Sequence, residues 1–171
     1  MKRIIITYGI ISGLIVSLWL MTAMFIGEND TFDKYGMYLG FTSMLIAFAF
    51  VFVGIRKYRE INGGTVTFGS ALRIGLLISL IASTFYVVTW MIEFHYFIPD
   101  FMDKMTSKQI ANWKAEGIAK AELDAKISEM QSWKELYKSP VMVVLLTYME
   151  ILPLGIVVSL IAAFVLKKKQ A

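Results

Sequence analysis

The chain has 171 residues, 57% of them hydrophobic and 18% charged, with a net charge of +4, one histidine and no cysteine. That much apolar surface exceeds what a soluble chain of this length hides in one core. The missing cysteines exclude disulfides, thiolate catalysis and Cys-ligated metals, and one histidine excludes a multi-histidine metal site within the chain.

The first apolar run, Ile4–Ile26, follows Met1-Lys2-Arg3. It is longer than the apolar core of a secretory signal and no small-x-small cleavage pattern precedes Glu28, so it is predicted to be a retained span. Gly9, Gly13 and Ser17 line one stripe of it, at the spacing that lets helix backbones approach closely in lipid. The second run, Gly36–Ile55, opens with the same spacing at Gly36 and Gly40.

The third run, Ile74–Ile92, and the fourth, Val141–Leu166, share a local pattern. Gly75-Leu-Leu-Ile-Ser79-Leu-Ile-Ala-Ser83 stands against Gly155-Ile-Val-Val-Ser159-Leu-Ile-Ala-Ala163. Complementary packing faces, an old duplication, or chance within so narrow an alphabet would each produce that match. At ~1.5 Å per residue every run can cross a hydrocarbon slab ~30 Å thick, where a spanning segment must satisfy its own backbone hydrogen bonds. The predicted fold is all-α: a polytopic, four-transmembrane-helix bundle forming a single membrane domain over residues 1–171. Its spans cover about 4–26, 36–55, 72–92 and 141–166, with an amphipathic helical insertion at about 99–139 between spans 3 and 4.

The loop between spans 2 and 3 contains Gly64-x-x-x-x-Gly69, half of a P-loop, but Ser70-Ala71 stands where Lys-Ser/Thr is needed to reach phosphate and magnesium. Nucleotide binding is not expected. Asn62-Gly63-Gly64 is predicted to turn, Thr67 or Gly69 to start the third helix, and Arg73 to snorkel. In the insertion, Ser107 is predicted to cap a helix over Lys108–Glu116, and Gly117 to break it. Beyond the break Ala119, Leu123, Ile127, Met130 and Tyr137 form an apolar stripe with Trp133 at its edge, while Glu122 and Lys126 are spaced for an ion pair. Such a helix would bind a partner or the lipid surface, or close as a hairpin over its own bundle.

Orientation follows from basic residues beside the spans. Lys2, Arg3, Arg56, Lys57, Arg59, Arg73 and Lys167 to Lys169 are packed into short flanks with Glu60 as their single acid. The eight remaining lysines, Lys34 and those from Lys104 to Lys138, are spread thinly among eleven acids. Both termini and the 56–73 loop are therefore predicted to be cytoplasmic in a cell (inner) membrane. The pI near 9.2 reflects this topology and gives no case for nucleic acid.

Glu150 is the only ionisable residue within the four apolar runs, about nine residues or ~14 Å into the fourth. A carboxyl at such depth costs of order 2.5–3.5 kcal/mol on insertion scales, so it is expected to face the bundle interior or a wet cavity. Pro153 leaves the carbonyl of Met149 without its helical donor, concentrating a polar defect there. The pair is either a proton or ligand site, or a structural carboxyl bonded to a nearby Thr, Ser or Tyr. Glu93 and His95, at the outer end of the third span, join the candidate polar site.

Three features carry a family resemblance. They are the Gly-x-x-Thr-Phe-Gly-x-Ala segment at Gly64–Ala71 opening a span, the long helical insertion, and a last span Gly155-Ile-Val-Val-Ser159-Leu-Ile-Ala-Ala163-Phe ending in Lys167-Lys-Lys. Together they resemble the bacterial domain-of-unknown-function 4199 membrane proteins over nearly the whole chain. The resemblance implies the four-span architecture and implies no activity, cofactor or site residue.

No nucleophile-base pair or metal set gathers at one depth, so the sequence points away from an enzyme. The expected role is that of a non-enzymatic accessory, scaffold or envelope-interaction protein, working in the lipid bilayer as a homo-oligomer or with a membrane or periplasmic protein. The alternative is a small oligomeric transporter or proton-coupled carrier using Glu150.

Overall fold

The computed structural model describes residues 1–26 and 30–168, without the side chains of residues 30–34. Of the residues in the charge comparison, Glu28, Lys169 and the side chains of Asp30, Asp33 and Lys34 lie outside the described residues. The described chain forms α1 (Lys2–Ile26), α2 (Asp30–Ile61), α3 (Phe68–Ile92), a π-helical turn (Glu93–Phe97), α4 (Phe101–Ala115), α5 (Lys120–Tyr137) and α6 (Pro140–Leu166). It divides into two compact units, one of Met1–Trp90 with Tyr148–Ala171, the other of Met91–Thr147.

In the first unit the small residues set which helices meet and in which direction. A Cβ on Gly9 would stand 2.8 Å from Cβ of Ile81, and one on Gly13 would stand 2.6 Å from Cγ of Phe85. The Thr89 hydroxyl donates to Ser17 Oγ at 2.8 Å. Each contact advances four residues on both helices, so α1 and α3 lie side by side and run parallel. The opposite sense holds between α3 and α6, where Gly75 meets Ser159 and Ser79 meets Gly155. Between α1 and α2, Ser12 donates across the interface to the Ala47 carbonyl at 2.9 Å. Trp19 beside Gly40 and Tyr8 beside Gly54 give that pair the antiparallel sense.

These registers bring the starts of α1 and α3 and the ends of α2 and α6 to one end of the unit. There α2 closes by donation from Gly64 N–H to the Arg59 carbonyl at 2.9 Å, with Gly63 at φ 67° and Gly64 at φ 82°, a helix ending that glycine enters without strain. Thr67 caps α3 by accepting from the Ser70 N–H at 3.3 Å. Val66 and Lys168 exchange backbone hydrogen bonds of 2.9 and 2.8 Å, tying the end of α6 to the α2–α3 loop. Arg59 adds a bond from Nη1 to the Leu166 carbonyl at 3.3 Å, satisfying one of the acceptors that a helix C-terminus leaves open.

The core of this unit contains Val16, Phe48, Val51, Ile74, Ile78 and Ile151, all fully buried. Its outer surface is also apolar: Leu18 is 62% exposed, Leu45 51% and Phe164 65%. Water does not tolerate such a surface over whole helices, whereas lipid does. Four helical stretches, Lys2–Ile26, Tyr35–Ile61, Phe68–Phe97 and Pro140–Leu166, are long and apolar enough to cross a membrane. The second apolar run is only the middle of its helix. Beyond Ile55 the helix continues through Arg56–Ile61, with Glu60 pairing to Arg56 and Lys57 at 3.4 Å each.

In the second unit α4 and α5 form an antiparallel helical hairpin. Gly117, at φ 69°, breaks the helical run between them, as its placement in the sequence implied. Lys126 lies 5.2 Å over the Trp113 ring near the turn, and Lys134 pairs with Asp103 near the open end. Lys126 also pairs with Glu122 at 3.5 Å. Ser107 does not cap a helix. The helix begins two turns earlier at Phe101, because Phe101 stacks edge-on against Phe94 at 6.4 Å and Met102 is buried, so apolar contacts draw residues 101–107 into the same helix. The α5 stripe is shallow: Leu123, Ile127, Met130 and Tyr137 are half-buried, Ala119 and Trp133 are exposed, and no α5 residue is fully buried.

A polar seam within the spans and a buried acid in a π turn

Within the first unit, hydroxyls and carbonyls meet on faces that small residues hold close together. The Gly155 carbonyl accepts from Ser159 Oγ at 2.7 Å and from Ser79 Oγ at 3.2 Å, and the two hydroxyl oxygens are 3.1 Å apart. All three residues are buried. The contact requires glycine, since a Cβ on Gly155 would stand 2.8 Å from Cβ of Ser79 and 2.9 Å from Cζ of Phe48. Gly75 is enclosed in the same way by Ser159 and Val51. Gly40 differs, because a Cβ there would reach ordinary contact with Trp19 Nε1 at 3.7 Å. Gly36 lies on α2 and is half-buried.

Glu150 does not point into the core, contrary to the cost argument that placed it there. It is exposed on α6, next to Met149, itself 72% exposed, and one residue before the fully buried Ile151. The Tyr86 hydroxyl donates to its Oε1 at 3.2 Å across the α3–α6 interface. Thr84 and Tyr148 also join α3 to α6, their hydroxyls 2.9 Å apart. The chain therefore offsets part of the carboxyl's desolvation with a phenol donor at the edge of the interface, rather than by enclosure. Pro153 is exposed two residues past Ile151, and α6 runs through it without interruption. Of the Thr, Ser or Tyr partners that the sequence allows for a structural carboxyl here, the structure supplies Tyr86, a phenol on the same apolar span as Ser79, Ser83 and Thr89.

Glu93 and His95 belong to the second unit and sit in the π turn. Glu93 is 4% exposed, and its Oε1 has no hydrogen-bond partner among the described residues. The turn arises because the Ile98 N–H reaches five residues back to the Glu93 carbonyl, at 2.9 Å. His95 is exposed, its ring edge-on to Tyr96 at 4.7 Å, and it borders an open cleft of about 390 Å³ with Phe94, Met102, Lys134 and Tyr137. Lys134 and Lys138 in that cleft are paired with Asp103 and Glu135, so its charge is balanced internally. Among the described residues no three His, Asp or Glu side chains gather as metal ligands.

Neither a curated protein nor a solved structure matches the chain. A family model described as a protein of unknown function (DUF4199) matches residues 7–168, from the first span to the bridge that ties down the end of the last. A match over that share of the residues shows the family: the chain belongs to the DUF4199 family.

Proposed function

We propose that this chain is a non-enzymatic subunit of the bacterial inner membrane that acts by assembling with other spans, either copies of itself or a membrane or periplasmic partner. The observation that carries this reading is Glu150, displayed with Met149 on an exposed face of a span. A carboxyl facing lipid is costly, and ionisable residues in spans generally face protein or water. A neighbouring span across this face would enclose the acid together with the Tyr86 donor that already orients it. Both termini and the α2–α3 loop are placed on the cytoplasmic side, which the dense basic flanks support. The α4–α5 hairpin is then outside, available to an envelope partner.

A second reading uses the same residue. An oligomeric proton-coupled carrier would line its path with Glu150 from each copy, because four spans with one such carboxyl leave little room for a path within a single protomer.

The test is cysteine cross-linking in native membranes. Met149→Cys in this cysteine-free chain should give an oxidant-dependent disulfide dimer if copies assemble, and the same cysteine carrying a photoactivatable maleimide should trap any other neighbour as an adduct of defined mass; Glu150→Leu should abolish either product, and Leu18→Cys on α1 should give none. Absence of any Met149→Cys product would remove the assembly reading. In proteoliposomes the carrier reading requires a pH-driven flux that Glu150→Gln eliminates while the protein stays folded.

A further inference from the structure

At the end of the first unit where α1 begins and α6 finishes, α1, α2 and α6 leave an open groove of about 430 Å³. We propose that this groove is a binding site for an anionic phospholipid, and this inference rests on the chain's membrane character alone, independently of how it assembles. The groove is graded along its length. Tyr8, Phe52 and Leu166 line it with aromatic and apolar surface, while Arg56, Lys57 and Glu60 line it with charge. On α2 these residues share one face, because Arg56 follows Phe52 by one helical turn and Glu60 follows Arg56 by another. The apolar run of α2 ends at Ile55, so the cations begin where hydrocarbon gives way to headgroups. A phospholipid has the same order along its axis: acyl chain, phosphate, polar headgroup.

The charge favours an anionic lipid over a zwitterionic one. Two cations face one carboxylate, and Glu60 lies 3.4 Å from each of them. These pairs are loose and solvent-exposed, with 69% of the Arg56 side chain and 52% of the Lys57 side chain accessible, and exposed pairs of this kind contribute little. The two free oxygens of a phosphodiester offer Arg56 a bidentate partner that the long contact to Glu60 does not. Arg59, by contrast, is engaged with the Leu166 carbonyl. Basic pockets between spans at the membrane surface are general sites of anionic headgroup capture.

The experiment uses the full-length protein in a neutral detergent. Native mass spectrometry would count adducts during titration with dioleoyl phosphatidylglycerol, dioleoyl phosphatidylcholine or inorganic phosphate. Phosphatidylglycerol should bind well below the concentration at which phosphatidylcholine does. Arg56→Gln and Lys57→Gln should each weaken it by about fivefold, from the usual worth of one basic residue near an anionic surface. Glu60→Gln, which removes the competing carboxylate, should tighten it. All three positions are exposed, so the variants should fold and melt as the parent does. Equal binding of both lipids, or weaker binding by Glu60→Gln, would overturn the site. Displacement of phosphatidylglycerol by millimolar inorganic phosphate would assign the cations to a soluble phosphate ligand and overturn the lipid.

Discussion

The hydroxyl of Ser79 lies 3.1 Å from that of Ser159, and both reach the carbonyl of Gly155. In this antiparallel contact, two small-residue stripes separated by about 80 positions in sequence meet over a backbone acceptor. No larger residue fits at Gly155, because its missing Cβ is what seats Ser79 and Phe48. Gly155→Ala should therefore cost ~1–3 kcal/mol in detergent melts and Gly155→Leu more, while Leu80→Phe, at an exposed position of α3, should change little. Equal tolerance of the three substitutions would show that this contact does not hold the helices together.

The α1–α3 contact makes a sharper comparison between glycines. A methyl at Gly13 meets the Phe85 ring at 2.6 Å, whereas one at Gly40 finds ordinary contact at 3.7 Å. Gly13→Ala should lower stability by ~1–3 kcal/mol. Gly40→Ala should be neutral or slightly stabilising, since alanine is the better helix former by up to about 1 kcal/mol. Thermal unfolding of the two variants side by side decides the matter, and the reverse order would contradict the packing.

Glu93 is buried with an oxygen that has no hydrogen-bond partner among the described residues, and removing such a group relieves a desolvation penalty. Glu93→Met, close in shape and apolar, should melt at or above the parent by up to ~1–3 kcal/mol. A clear loss of stability would mean that the carboxyl is bonded, by water or by another molecule.

Asp100 pairs with Lys104 at 3.0 Å just before α4, and the hydrogen bond from Lys104 holds its carboxyl below the usual carboxylate range. A carboxyl lowered on folding stabilises the folded state above its unfolded value, near 3.8, and loses that contribution as pH falls through the lowered one. The pair is exposed, so the effect is small and best read at the residue itself. Carbon-13 NMR of the Asp100 carboxyl should give a midpoint below 3.8 that Lys104→Gln moves upward. A midpoint unchanged by Lys104→Gln would show that the pair does not form in solution.

Membrane sidedness is open to direct labelling because the chain has no cysteine. Gly64 and Gly117 have positive φ and would strain a cysteine, so the probes belong at Gly69, which has open space around it, and at the exposed Glu116. An impermeant thiol reagent on intact cells should label Glu116→Cys and spare Gly69→Cys. Labelling of Gly69→Cys alone would invert the orientation.

Much of the architecture was legible from local chemistry. An apolar run of sufficient length has one stable backbone solution in hydrocarbon, so the four spans follow from composition and length. Glycine at positive φ explains the helix ending at Gly63-Gly64 and the break at Gly117, and a hydroxyl explains the cap at Thr67. The small-residue stripes were visible too, but periodicity names only a face. That Gly9 and Gly13 meet α3 in parallel while Gly75 and Gly155 join α3 to α6 in antiparallel is a choice among partners, and only the packed helices make it. Ser107 has the chemistry of a cap, yet Phe101 and Met102 gain apolar contacts by starting the helix earlier, and those contacts lie elsewhere in the chain.

Glu150 marks the limit most clearly. The sequence determined that Glu150 is the one carboxyl inside the four apolar runs, where it stands out among residues such as Met149 and Ile151. It did not determine the direction of that carboxyl, since α6 is apolar all round and offers no polar face to orient it. The tertiary structure decided that direction by burying Ile151 in the core and bringing Tyr86 from α3 to the edge of the interface, and the acid follows its donor there because a hydrogen bond offsets desolvation where burial alone would add to it.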